Sequence, residues 1–170
     1  MDRPQIIEAL TALGEILHAR GVTGELYMVG GAAIALAFDR ARTTRDIDAV
    51  FEPKLIVYEA AAEVAERLDL PVGWLNDAVK GFLVPDPQAS PVLEVAGLRC
   101  LAASPRILLA LKVLAHRVGE DEDDVRLLAR ALELKGAAEV LAVAADVLGD
   151  RLDVAARFFV QEIFTPEPPR

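Results

Sequence analysis

The sequence predicts an α/β (α+β) protein, a small mixed sheet flanked by helices and followed by a helical extension. Three observations carry that expectation. Strand-like and helix-like apolar periods alternate through the first half, in the order strand–helix–strand–helix after an opening helix. From Ser104 onward only helical periods occur, punctuated by Gly136 and Gly149. The 170 residues are 54% apolar, so the chain is long and apolar enough to bury a real core. The expected organisation is an α/β core over 1–103, a C-terminal helical bundle packed on it over 104–164, and a tail over 165–170.

The first element is an amphipathic helix over residues 4–20, with Ile6, Leu10, Leu13 and Leu17 at helical spacing. Pro4 suits its first turn and Gly21 its end. Leu26 to Val29 reads as a strand ending in Gly30-Gly31, then Ala32 to Phe38 as a short apolar helix. A basic, hydroxyl-bearing turn over Arg40 to Arg45 leads into Asp46-Ile47-Asp48, which opens a second strand. Pro53 breaks that strand, and 54–68 follow as a helix that Pro71 and Gly73 terminate. Trp74 to Val84 reads as a turn into a short helix and then a strand stub, with Asn76 and Asp77 as turn or cap residues. The prolines of Pro85 to Pro91 make a loop, and Val92–Val95 and Leu98–Leu101 are short strands around Gly97. Ser104-Pro105 caps a largely apolar helix that runs to Gly119. Helices over 121–134, 137–148 and 151–163 complete the chain.

The stretch from Glu25 to Phe51 holds the candidate chemistry. Gly30 and Gly31 let the backbone turn sharply and come close to a ligand. At a helix start, their N–H groups sit beside the positive end of the helix dipole, a place suited to phosphate. Asp46 and Asp48, two apart in a strand, project to one face while Ile47 points to the other. Two adjacent carboxylates repel unless a cation lies between them, and a hard divalent ion with oxygen ligands is the usual solution.

Gly30-Gly31 followed by Arg42-x-Thr44-x-Asp46-Ile47-Asp48 resembles the signature of the DNA polymerase β-like nucleotidyltransferase superfamily. Within it, the chain is most similar to the small stand-alone proteins related to AbiEii-type toxins. The stretch from Trp74 to Phe82, and Leu108 to Lys112 with Arg117 and Asp124, belong to the same likeness, which spans roughly residues 25 to 130. Fourteen residues separate Gly31 from Asp46, more than the usual superfamily spacing, so a longer helix or turn lies between them.

That resemblance implies the polymerase β-like fold and transfer of a nucleoside monophosphate from an NTP to RNA, such as a tRNA end, or to protein. It implies a toxin-like role with a cognate antitoxin or in phage defence. Asp46 and Asp48 would hold Mg²⁺ or Mn²⁺, and Gly30, Gly31, Arg42 and Thr44 would contact the nucleotide. Superfamily enzymes carry a third acid on a neighbouring strand, a place that Glu94 could fill; a solvent-facing position in an alternating strand is the other reading. Lys112, in the middle of an apolar helix, either snorkels out to water or reaches the site to neutralise the triphosphate. Asp124 positions Lys112 or Arg117, or completes the active site; Asp121 shares its helix face, where an acidic first turn also suits the dipole. The likeness also raises Asn76, Asp77 and Lys80 to site-lining candidates. Two other readings stand beside this one: a non-catalytic nucleotide-binding or antitoxin-type partner, and a small-molecule modifier of the aminoglycoside nucleotidyltransferase kind.

Charge and composition narrow the partners. A formal charge of −9 argues against a broad nucleic-acid-binding face and confines any RNA contact to a local basic patch around Arg40, Arg42 and Arg45. No apolar run approaches the ~18 residues of a membrane span. The N-terminus lacks the layout of a signal peptide. The single cysteine, Cys100, cannot pair within the chain and fits a reducing cytoplasm. With two histidines in total, His-based metal or triad chemistry is not expected.

Overall fold

The structure, a computed structural model, describes residues 1–82 and 84–165; Leu83, within the expected strand stub, and most of the expected tail lie outside the described residues. The chain divides into two compact units, Met1–Ala103 and Ser104–Arg170. It is a mixed α/β protein with a five-stranded mixed sheet and seven α-helices among the described residues.

The first unit opens with α1 (Arg3–Ala19). Asp2 caps it in a reciprocal box with Gln5: the Asp2 carboxylate accepts the Gln5 N–H, and the Gln5 side chain accepts the Asp2 N–H, each at 2.9 Å. Strand β1 (Gly24–Met28) leads into α2 (Gly30–Ala37), then β2 (Ile47–Glu52), α3 (Lys54–Leu68), β3 (Leu75–Asn76), a 3₁₀ turn (Ala78–Phe82), β4 (Ser90–Val95) and β5 (Leu98–Ala102). The strand order is β3-β2-β1-β5-β4. β1 runs antiparallel to β2 and parallel to β5, β3 is parallel to β2, and β4 is antiparallel to β5. Around Trp74 the order is strand then helix, the reverse of the expected one. A two-residue strand carries too little periodicity to be seen, and its place is set by pairing: Ile47 N–H donates to Trp74 O at 2.6 Å.

The two faces of the sheet differ. Leu26, Met28, Ile47, Ala49, Cys100 and Ala102 are fully or nearly buried on one face, under α1 and α3. Each such side chain of leucine or isoleucine size contributes about 1.5–3 kcal/mol on burial. Burial pushes the Cys100 thiol up to about 12, so this cysteine packs as a small hydrophobe. Trp74 belongs to the same core: it is 2% exposed and its indole N–H donates to Ala61 O at 2.9 Å. The alternate residues Glu25, Tyr27, Asp48, Val50, Arg99 and Leu101 are half-buried or exposed on the other face. Asp48 therefore lies on the more open side, which is the consequence of a period of two.

The second unit is helical: α4 (Pro105–Ala115), α5 (Glu122–Ala131), α6 (Ala137–Leu148) and α7 (Val154–Phe164). Ser104 Oγ accepts the Ile107 N–H at 3.4 Å, and Asp153 caps α7 by accepting the Ala156 N–H at 2.8 Å. α4 stops at Ala115 and does not reach Gly119, because His116 takes a left-handed conformation (φ 35°) that ends the helix. No described helix is long and apolar enough to cross a membrane.

Candidate functional site

The diglycine bend and the paired aspartates meet at one end of the sheet. Because β1 and β2 are antiparallel, the end of β1 lies beside the start of β2, and Val29 N–H donates to Asp48 O at 2.9 Å. Gly30 follows with φ of 64°, a conformation that glycine adopts without strain. A Cβ at Gly30 would lie 3.0 Å from Asp48 Oδ2, and one at Gly31 would lie 2.7 Å from Thr44 Oγ1. Backbone thus packs directly on the carboxylate and on the hydroxyl, and any side chain at either glycine would occupy that space. Val29, the N-cap residue of α2, offers no side-chain hydrogen bond, so the first N–H groups of this helix receive no capping side chain.

The longer connection between Gly31 and Asp46 is a turn beyond the end of α2. Asp39 shapes it by accepting the Ala41 N–H at 3.0 Å on its side chain and the Arg42 N–H at 3.1 Å on its carbonyl. Thr44 N–H donates to Met1 O at 2.9 Å, the Met1 amino group donates to Thr44 O, and Thr44 Oγ1 donates to Asp46 O at 3.0 Å. Arg42 and Thr44 are half-buried there, while Arg40 and Arg45 are exposed.

Asp46 precedes β2 and Asp48 lies within it; both are half-buried. Asn76 links them. It stands in register with Asp48 across the β2–β3 pair, and its amide donates to Asp46 Oδ2 at 3.2 Å. The next residue, Asp77, accepts from Lys54 Nζ at 2.5 Å and from the Tyr58 hydroxyl at 2.6 Å, with Lys80 Nζ at 3.3 Å. The hydrogen bonds from Lys54 and then Tyr58 hold the Asp77 carboxyl well below the usual carboxylate range. Tyr58 in turn packs edge-on against Phe51, with ring centroids 4.9 Å apart.

Glu94 is not brought to this place. It is exposed on β4, opposite Arg99, which faces Glu25, which faces Glu52. That row crosses the sheet four residues along β2 from Asp48, or about 13 Å at a strand's rise, with three strand spacings of about 4.8 Å besides. Its expected role as third metal ligand is corrected by strand order: β5 and β1 stand between β4 and β2. Asn76 holds the position beside Asp48 instead. The resemblance marked Asn76 as a site-lining candidate, but a two-residue strand is too short for its register with Asp48 to show in the periodicity.

Lys112, Asp121 and Asp124 come together within the helical unit. Lys112 Nζ lies 2.6 Å from Asp121 Oδ1 and 2.8 Å from Asp124 Oδ2. The three side chains are 5%, 0% and 4% exposed, so the lysine does not snorkel to water. Two of its three donors are engaged by these carboxylates. Asp121, the less favoured of the two acids from sequence, is the more heavily bonded. It also accepts from the Arg117 backbone N–H at 3.2 Å and from the Arg117 guanidinium twice at 3.0 Å. Burial by itself would raise the Asp121 carboxyl, but the bonds from Arg117 and Lys112 outweigh it and leave it below its ordinary 3.8.

One polar pair on the open sheet face went unnoticed in the sequence: the Tyr27 hydroxyl donates to Asp86 Oδ2 at 2.8 Å. Burial, and then this bond, push the Tyr27 phenol above its ordinary 10. Asp86 lies in the proline loop, whose composition announces a turn and nothing more.

The oxygen donors fit a hard divalent ion of the magnesium kind, which takes one or two protein carboxylates and completes its shell with water and substrate phosphate. Among the described residues no group of three or more His, Cys, Asp or Glu side chains is arranged to hold a metal. No protein-family model, curated protein or solved structure matches the chain.

Proposed function

We propose that this chain is a metal-dependent nucleotidyltransferase of toxin-like kind, moving a nucleoside monophosphate from an NTP to RNA, such as a tRNA end, or to protein. The observation that carries the reading is the close approach of the Gly30 backbone to Asp48, where an added Cβ would stand 3.0 Å from Oδ2, at the start of α2. A phosphate-sized anion and a carboxylate-held cation would there be neighbours, as the chemistry requires. Asp46 and Asp48 would hold Mg²⁺ or Mn²⁺, which, when bound, neutralises triphosphate charge and favours ionisation of the acceptor hydroxyl. The N–H groups at Gly30 and Gly31 would orient the phosphates, aided by the helix dipole. Thr44 forms the wall next to Gly31, and Arg42 would contribute charge to the nucleotide. In the reaction the acceptor oxygen bonds to the α-phosphorus and pyrophosphate leaves. Positioning and electrostatics are the catalytic terms available to such a site. Lys112 and Asp124, expected from the resemblance to serve the reaction, are engaged with each other inside the helical unit, where Lys112 also pairs with Asp121.

The test is incubation of the full chain with each α-labelled NTP, magnesium, and total cell RNA or lysate, followed by the location of the label. Transfer that Asp46→Asn or Asp48→Asn removes supports the proposal; wild-type transfer in either variant overturns it. The second reading is a non-catalytic nucleotide-binding or antitoxin-type protein. Magnesium-dependent NTP binding without pyrophosphate release would select it.

A further inference from the structure

We propose that Asn76 is the positioning residue of the carboxylate pair, and that Lys54, Tyr58 and Lys80 fix it in place through Asp77. The inference rests on the metal-dependent reading above and names how this chain manages with two acids.

Both ends of the Asn76 amide are committed. Its Oδ1 accepts the Ala78 N–H at 3.1 Å, so its NH₂ end must be the one that faces Asp46 Oδ2, at 3.2 Å. The network therefore fixes the orientation of the amide. One oxygen of Asp46 is tied down by this donor, which restricts how the carboxylate can rotate. The backbone of Asn76 is fixed as well, through its register with Asp48. An aspartate at this position would set a third negative charge against Asp46; the amide avoids that repulsion and still orients the ligand. Groups that hold metal ligands in this way typically change metal affinity by 10–100-fold when removed.

Asn76 sits at the edge of the sheet in a strand of two residues, which by itself is weakly held. Asp77 supplies the anchor. Lys54 and Tyr58 come from the first two turns of α3, and Lys80 comes from the 3₁₀ turn, so one carboxylate ties three segments together. Two ammonium groups on one carboxylate leave an excess of one positive charge at Asp77, the residue that follows Asn76.

The experiment is Mn²⁺ titration of the full-length chain, read by the electron paramagnetic resonance signal of the free ion, with urea midpoints measured in parallel. Wild type is expected to bind Mn²⁺ at a site that Asp48→Asn removes. Asn76→Ala should weaken that binding about tenfold, in line with the loss of an orienting group. Asn76→Asp should tighten it by about tenfold, since a carboxylate replaces the amide beside the cation. Opposite signs for the two substitutions are the signature of positioning at a cation site; a purely structural role would lower the urea midpoint in both and tighten neither. If Asn76→Ala fails to fold, the tightening in Asn76→Asp carries the test alone. Asp77→Asn should weaken Mn²⁺ binding by about threefold, a partial form of the Asn76→Ala effect; wild-type affinity there overturns the anchor. Wild-type affinity in both Asn76 variants overturns the positioning role while leaving the metal reading intact. A wild-type chain with no Mn²⁺ site sensitive to Asp48→Asn overturns both together.

Discussion

Replacement of Lys112 by methionine is the sharpest probe of the helical unit. Methionine keeps the length and the apolar stem, so the change isolates the ammonium. In the native chain that ammonium lies 2.6 and 2.8 Å from two carboxylates that are 0% and 4% exposed. Its loss leaves Asp121 with Arg117, whose side chain is 56% exposed and acts partly through water, and deprives Asp124 of its lysine partner. Breaking a buried ion pair from one side typically costs about 3–5 kcal/mol, because the remaining charge stays buried without its partner. Against a total stability on the order of 5–15 kcal/mol, that loss is large enough to read easily. The assay is urea unfolding of the full chain followed by circular dichroism at pH 7. Adding Asp121→Asn and Asp124→Asn to Lys112→Met should restore much of the loss, since the buried carboxylate charges are removed together with the ammonium. The pH dependence has a definite sign. Asp121 is depressed in the folded state, so its contribution is present above its unfolded pKa near 3.8 and is lost as pH falls through the lower folded value. Without Lys112 part of that depression is gone, and the gap between wild type and Lys112→Met should narrow below about pH 4. A Lys112→Met midpoint within ~0.5 kcal/mol of wild type at pH 7, the range of an ordinary surface change, would refute the argument.

The remaining predictions concern the first unit. Asp48→Asn should abolish labelled-nucleotide transfer with the circular dichroism spectrum unchanged, because the side chain lies on the half-buried face and not in the core. Gly30→Ala should lower stability by about 1–2 kcal/mol, from its left-handed backbone and from a methyl placed 3.0 Å from Asp48 Oδ2, and should also lower transfer; thermal melts and the transfer assay check the two parts. Glu94→Gln should leave both transfer and Mn²⁺ binding at wild-type levels, since strand order keeps that side chain away from Asp48; a loss of Mn²⁺ binding there would contradict the topology.

What the sequence showed and what it withheld follow from how far each signal reaches. The fold class was legible because apolar periods are local: Leu26, Met28, Ile47, Ala49 and Phe51 alternate strictly, and each lands on the buried face. The meeting of Gly30 with Asp48 was legible for the same reason, since two strands joined by a short helix and a turn readily pair as neighbours. Glu94 was misplaced because its relation to Asp48 depends on strand order, which no residue near Glu94 encodes. Asn76 was undervalued because its importance is relational: the same asparagine in another strand would be only a turn residue. The buried group of Lys112, Asp121 and Asp124 lies between these cases. A lysine amid leucines signals an unusual environment, and the acidic run from Glu120 to Asp124 offers partners one loop away. What periodicity cannot supply is which acid turns inward. The left-handed His116 decides that by ending α4 early, so that the chain returns through Arg117 and brings Asp121 under the lysine before α5 begins. A residue that breaks a helix thus determines a buried ion pair five positions later, through backbone geometry rather than through any contact of its own.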